Sequence, residues 1–260
     1  MNYCLSSQVD KKYLEKVQEI RIKYRNLDTL LDLYEINPKA SIIITLSAKE
    51  DKTKIRWSDI QNYNKMWQNK IIIETDSFDI MDACKMLGIK YFYAIPVSTF
   101  AELKALVDCG CCDVKIDAPL THMLDKLDNY DITLRMSPNI AYYAHIPRVN
   151  GVIGSWVRPE DVELYEEYID VFEFEDCDKA KEEALYRVYA EQKNWPSNLN
   201  NLITNLDYDA IGKLVLSDFA TARTFCGQKC LSGIHCNLCY QFLDLADINK
   251  TKSLKEKIYD

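Results

Sequence analysis

Four thiols fall within fourteen residues near the C-terminus, in Cys226-Gly-Gln-Lys-Cys230-Leu-Ser-Gly-Ile-His235-Cys236-Asn-Leu-Cys239. Thiolates this close in sequence converge on one ion or cluster: four of them bind zinc tetrahedrally or hold an iron–sulfur cluster. Gly227 and Gly233 let the backbone turn around the metal. The spacing is Cx3Cx5CxxC, more compact than two CxxC knuckles with a long spacer. A [4Fe-4S] cluster is therefore the first reading and Zn2+ the second. Four reduced cysteines without metal are the bland alternative. A radical-SAM site needs CxxxCxxC near the start of a barrel, and this cluster fits neither the spacing nor the position. His235, beside Cys236, is read as a neighbour of the ligands rather than one of them.

The second set of residues that can do chemistry lies at the ends of β-rich runs: Lys23 and Arg25, Glu74 and Asp76, Lys115 and Asp117, Arg135 and Asn139, Arg158, then Glu173, Glu175 and Asp176. Acids and bases brought together can move protons and position a charged substrate. Charged residues at strand ends are also often only solvated rim. His145, in Tyr142-Tyr143-Ala-His145-Ile-Pro147-Arg148, is the best histidine for acid–base work, against the plainer role of a loop histidine bonded to backbone. Tyr142 and Trp156 can stack on a ring, although aromatic side chains are more often core. Cys84, Cys109, Cys111 and Cys112 are read as small buried hydrophobes.

Positioning these groups falls to a regular alternation of strands and helices. Eight β-rich runs are expected: residues 19–24, 41–46, 70–75, 91–97, 113–117, 132–136, 151–157 and 171–175. Between the third and fourth, Phe78, Met81, Cys84, Met86 and Leu87 mark the buried stripe of a helix ending at Gly88. After the fourth, Thr99-x-x-Glu102 has the form of a capping box, with Leu103, Leu106 and Val107 as the apolar face up to Gly110. Another helix starts near Pro159 and buries Val162, Tyr165 and Ile169. The fold class expected is α/β, an eight-stranded parallel (β/α)8 barrel of the TIM type with an irregular seventh unit, over residues 1–190. Residues 191–260 form a C-terminal extension carrying the four-cysteine metal site. In such a barrel the strand carboxyl ends meet at one face, so the residues of the second set share a pocket.

Composition narrows the function. Only seven glycines occur, and no GxGxxG or GxxxxGK[ST] can be written, which excludes the usual glycine-rich phosphate cradles. A net charge of −8, from 32 basic and 40 acidic residues, argues against nonspecific wrapping of nucleic acid but leaves room for a local basic groove. The N-terminus has no apolar signal core and no apolar run is long enough for a membrane span, so a cytoplasmic protein without a membrane partner is expected. The ten cysteines are then reduced thiols or metal ligands, not a disulfide framework.

The order of segments resembles the peptidase U32 family. The resemblance rests on Trp156-Val-Arg158-Pro159-Glu-Asp161-Val-Glu-Leu, on Val171-Phe-Glu-Phe-Glu175 and on Leu185-Tyr186-Arg187, with a similar rhythm over residues 91–120. It covers about residues 70–190. Glu175 falls where that family has the glutamate of Lys-Ile-Glu-Gly-Arg, with Asp176 and Cys177 in place of the glycine and arginine. The family's cysteines lie partly before that strand, whereas the four here lie downstream. The resemblance implies a barrel enzyme associated with an iron–sulfur cluster that modifies an RNA base or a small aromatic substrate, for instance by hydroxylation. Arg135 and Arg158 would bind anionic groups, Glu175 and His145 would be the acid–base pair, and Lys115 and Asp117 would orient them. A zinc-stapled, noncatalytic barrel binding a protein or nucleic-acid partner is the second expectation. A nuclease with an iron–sulfur staple is the third.

Overall fold

A computed structural model describes residues 1–49, 55–97, 99–116, 132–139, 159, 162–166 and 168–192. Its strands are β1 (Asn2–Ser6), β2 (Glu19–Lys23), β3 (Ser41–Leu46), β4 (Ile71–Thr75), β5 (Lys90–Val97), β6 (Asp113–Ile116), β7 (Thr133–Met136) and β8 (Val171–Glu173). They pair in parallel in sequence order, and β1 pairs with β8, so the sheet closes into an eight-stranded barrel. The helices are α1 (Lys11–Leu14), α2 (Leu30–Ile36), α3 (Trp57–Met66), α4 (Phe78–Leu87), α5 (Phe100–Asp108), α6 (Val162–Tyr165) and α7 (Lys179–Tyr186). This is the (β/α)8 architecture that the strand–helix rhythm implies.

Both faces of such a strand are buried, which is why the central strands are continuous apolar runs. Ile42, Ile43 and Ile44 of β3, like Ile71, Ile72 and Ile73 of β4, are all buried. Alternate residues divide between two cores. Ile42, Ile44, Ile71 and Ile73 pack outward with helix residues such as Leu30, Ile60, Ile80 and Leu103. Cys4, Ile43, Ile72, Phe92 and Val171 pack together as a separate inner cluster, the apolar filling of the lumen.

Two sequence expectations need correction. β7 pairs directly with β8 and β1 at the N-terminus completes the eight, a strand that the sequence reading lacks, while the strand expected at residues 151–157 lies outside the described residues. The buried stripe of α4 is also rotated from the expected one. Ile80, Met81 and Cys84 are buried, whereas Phe78 is 58% exposed and Met86 is 82% exposed. Phe78 instead stacks on Tyr93. Gly88 ends α4 as expected, in the left-handed conformation (φ 66°) that a residue with no Cβ takes without strain. The Thr99–Glu102 capping box is formed in full at the start of α5. Among the described residues, no helix is long and apolar enough to cross a membrane. Residues 193–260, and with them most of the expected extension, lie outside the described residues.

Candidate functional site at the carboxyl ends of the strands

The inward positions of β2, β4, β6, β7 and β8 carry charge where a barrel ordinarily carries branched aliphatics. Deepest is Arg135 of β7, whose side chain is 0% exposed. Its Nη1 donates to Asp113 at 2.5 Å and to Glu19 at 3.3 Å, its Nη2 donates to the other oxygen of Glu19, and its Nε donates to Glu173 at 3.3 Å. The guanidinium also lies 4.8 Å from the Phe92 ring centroid. Each nitrogen is thus spent on a carboxylate, as burial of a charge requires.

Two of the three acids that share Arg135, Glu19 and Glu173, are displaced in opposite directions. Burial raises the pKa of Glu19 from its ordinary value more than Arg135 lowers it. Burial also acts to raise Glu173, but Arg21, Lys115 and Arg135 together hold it well below the usual carboxylate range. Burial pushes the Cys4 thiol far up, so this inward cysteine is an inert filler rather than a nucleophile.

Nearer the strand carboxyl ends, Lys115 of β6 stands among three glutamates. Its Nζ lies 2.5 Å from Glu173, 3.8 Å from Glu74 and in contact with Glu175. Arg21 closes the group through Nε, 3.0 Å from Glu74, and Nη2, in contact with Glu173. Thr45 Oγ1 donates to Glu74 at 2.8 Å. The exposures separate the roles: the side chains of Glu173, Lys115 and Glu74 are 0%, 3% and 6% exposed, while Glu175 reaches 27%. Glu173 Oε1 and Glu175 Oε1 are buried and meet Lys115 as ion partners without hydrogen-bond geometry.

Glu175 lies two residues past the end of β8 and is held by Asn139. The Asn139 amide donates to the Glu175 carbonyl at 2.9 Å and accepts from the Glu175 N–H at 3.3 Å, replacing the next rung of a ladder. Asp176 then turns the chain at φ 51°, a left-handed conformation that aspartate tolerates better than most residues. The turn returns Cys177, whose thiol donates to the same carbonyl at 2.9 Å. Burial pushes that thiol up to about 12, so it remains a donor at neutral pH. Ser137, also at this corner, is 0% exposed and its hydroxyl has no partner among the described residues. Across the mouth, Glu182 of α7 is buried and accepts from the Ser6 N–H at 2.6 Å.

Of the residues named from sequence, Glu175 and Lys115 are brought together, with Glu74 and Glu173 beside them. Arg135 is enclosed below them, against the expectation of an arginine that meets an anionic substrate: no part of its side chain reaches solvent. Asp76 instead accepts from the Ala48 N–H at the rim. Asp117, Tyr142, His145, Trp156, Arg158, Cys226, Cys230, Cys236 and Cys239 lie outside the described residues. Sequence reasoning missed Glu19, Arg21, Asp113, Ser137 and Glu182. The signal for three of them was a polar residue two places from another inside a strand, as in Glu19-x-Arg21 and Asp113-x-Lys115. Cys84, Cys111 and Cys4 are buried, Cys109 is exposed, and Cys112 and Cys177 are intermediate. No group of three or more His, Cys, Asp or Glu among the described residues is arranged to hold a metal.

Strand order and the position of the charged cluster define the class: a parallel (β/α)8 barrel with its ionisable side chains gathered inside and at the carboxyl ends of the strands. No family model matches the chain, and no curated protein matches it. Among solved structures it is similar to 2,3-dimethylmalate lyase, a PEP mutase/isocitrate lyase superfamily member. That similarity has 8% sequence identity and a TM-score of 0.40, over 99% of this chain and 93% of that one.

Proposed function

We propose that the chain is a barrel enzyme working at the carboxyl ends of β6, β7 and β8, with Glu175 as the proton-accepting carboxylate and Lys115 as its partner. The observation that carries this reading is the difference in exposure within one cluster: Glu175 alone of its three glutamates opens to solvent, while the ammonium it pairs with is enclosed. Barrel enzymes place their chemistry at this face, because loops of several strands converge there. Glu74, Glu173 and Arg21 hold Lys115 in place. Arg135, with Glu19 and Asp113, supports the layer below.

The resemblance to the U32 family supports an iron–sulfur enzyme acting on an RNA base or a small aromatic substrate. In this reading Cys226, Cys230, Cys236 and Cys239 hold a [4Fe-4S] cluster, and four thiols are the donor set such a cluster needs. When bound, the cluster supplies one-electron chemistry. In the same reading Glu175 and His145 are the acid–base pair, Lys115 and Asp117 orient them, Tyr142 and Trp156 bind the substrate ring, and Arg158 binds an anionic group.

A second reading is a noncatalytic barrel stapled by Zn2+ that binds a protein or nucleic-acid partner. The observation in its favour is the saturation of Arg135, a network built for order rather than turnover. Metal and sulfide analysis with a visible spectrum, on anaerobically purified protein and on a variant with all four cysteines changed to serine, separates the two. About four irons and four sulfides with a visible band lost in the variant support the enzyme reading. One zinc and no visible band support the staple.

A further inference from the structure

We propose that the barrel mouth receives its ligand through an amino or ammonium nitrogen, with the Ser137 hydroxyl and the Glu175 carboxylate as the groups that accept from it. The inference rests on the reading of the mouth as a working site and names the chemistry of what enters.

Charge is the first support. The groups joined by ion pairs inside the barrel and at its mouth are Glu19, Glu74, Asp113, Glu173 and Glu175 against Arg21, Lys115 and Arg135, five acids for three bases, with Glu182 a further buried acid across the mouth. Arg135 absorbs Glu19 and Asp113 at depth, which leaves Arg21 and Lys115 facing three glutamates. One excess carboxylate is then at depth and one at the mouth, where Glu175 is the most exposed of the three glutamates. An entering anion meets a carboxylate there, whereas an entering N–H donor meets an acceptor.

Ser137 is the independent support. It follows β7 and lies two residues beyond Arg135, an inward position whose register partner on β6 is Lys115. It lies two residues before Asn139, which holds Glu175. Its hydroxyl is fully buried and has no partner among the described residues. A buried hydroxyl without a partner lowers stability, and such groups are uncommon in folded proteins unless something absent from the free chain completes them. A carboxylate only accepts hydrogen bonds and a serine oxygen can also accept, so the pair selects a ligand that donates. An exocyclic amino group on a ring meets this requirement, as does a primary ammonium.

The test is thermal unfolding of the full-length protein with agmatine or with inorganic phosphate, at matched millimolar concentration and ionic strength. Ligand that binds only the folded state raises the midpoint as its concentration rises. Agmatine is expected to raise the midpoint and phosphate to leave it unchanged. Glu175→Gln abolishes the agmatine response. Ser137→Ala leaves the ligand-free midpoint unchanged or higher and weakens agmatine about tenfold, as loss of a single hydrogen bond does. A phosphate response without an agmatine response overturns the proposal, as does no response to either. A Ser137→Ala protein with a lower midpoint and full agmatine response also overturns it, since the serine is then a packing residue. An agmatine response that both variants lose, in a protein without catalytic activity, upholds the ligand chemistry and refutes the enzyme reading.

Discussion

The side-chain amide of Asn139 brackets the backbone of Glu175, donating to its carbonyl at 2.9 Å and accepting from its N–H at 3.3 Å. One side chain thereby extends the β7–β8 pairing past the end of the ladder and fixes where the most exposed carboxylate of the cluster stands. Asn139→Ala leaves both backbone groups without that partner at a partly buried site. The expected loss is about 1–3 kcal/mol in denaturant unfolding, together with reduced activity. Asn139→Asp retains the acceptor and loses the donor, so it should fall between the two. Equal stability of all three proteins contradicts the role.

Arg135 and its three acids behave as one unit. Arg135→Met removes the cation and leaves Glu19, Asp113 and Glu173 buried together, and a loss of about 3–5 kcal/mol is expected in urea unfolding. The double variant Arg135→Met with Glu19→Gln should recover part of that loss, because one of the stranded charges is gone. Strict additivity of the two changes would contradict the network.

Glu19 and Glu173, which share Arg135, should give opposite pH dependence. Glu173 has a lowered folded value against an ordinary 4.5, so its stabilisation is fully present above that pH and drains away as pH falls toward the folded value. The stability difference between wild type and Glu173→Gln should therefore shrink as pH falls below about 4.5. Glu19 has a raised folded value, so its contribution is complete below 4.5 and is lost as pH rises through the folded value. Wild type should accordingly lose stability relative to Glu19→Gln as pH rises above 4.5. Chemical denaturation of the three proteins across the acidic range reads both slopes, and slopes of the same sign refute the assignment.

The capping box offers a prediction in the β5–α5 connection. Thr99 accepts from the Glu102 N–H while the Glu102 carboxylate accepts from the Thr99 N–H. Thr99→Ala should cost about 1 kcal/mol in thermal or urea unfolding, and an unchanged midpoint would contradict the cap.

The barrel was legible in the sequence because parallel strands buried on both faces leave compact apolar runs, as in Ile42-Ile43-Ile44 and Ile71-Ile72-Ile73. β1 was not: Asn-Tyr-Cys-Leu-Ser begins at the second residue, has no preceding turn signal and mixes polar with apolar side chains. An eighth strand was then sought at residues 151–157, although closure needed only the N-terminal segment. Lys115 and Glu175 were legible as polar groups at strand ends. Glu19, Arg21 and Asp113 were hidden because charge inside a strand ordinarily signals a solvent face, and here it faces the lumen of a closed sheet. The stripe of α4 was displaced for a simpler reason: Phe78 finds a surface partner in Tyr93, leaving Ile80 to fill the core.

The central claim is that Glu175 does chemistry at the mouth of the barrel. The most direct test compares source cells lacking the protein, complemented with wild type or with Glu175→Gln, by mass spectrometry of RNA nucleosides and small aromatic metabolites. The account predicts a modified compound that disappears on deletion, returns with wild type, and returns at least about a hundredfold more slowly with Glu175→Gln at equal protein level, the scale of a lost general base. Full restoration by Glu175→Gln would contradict it.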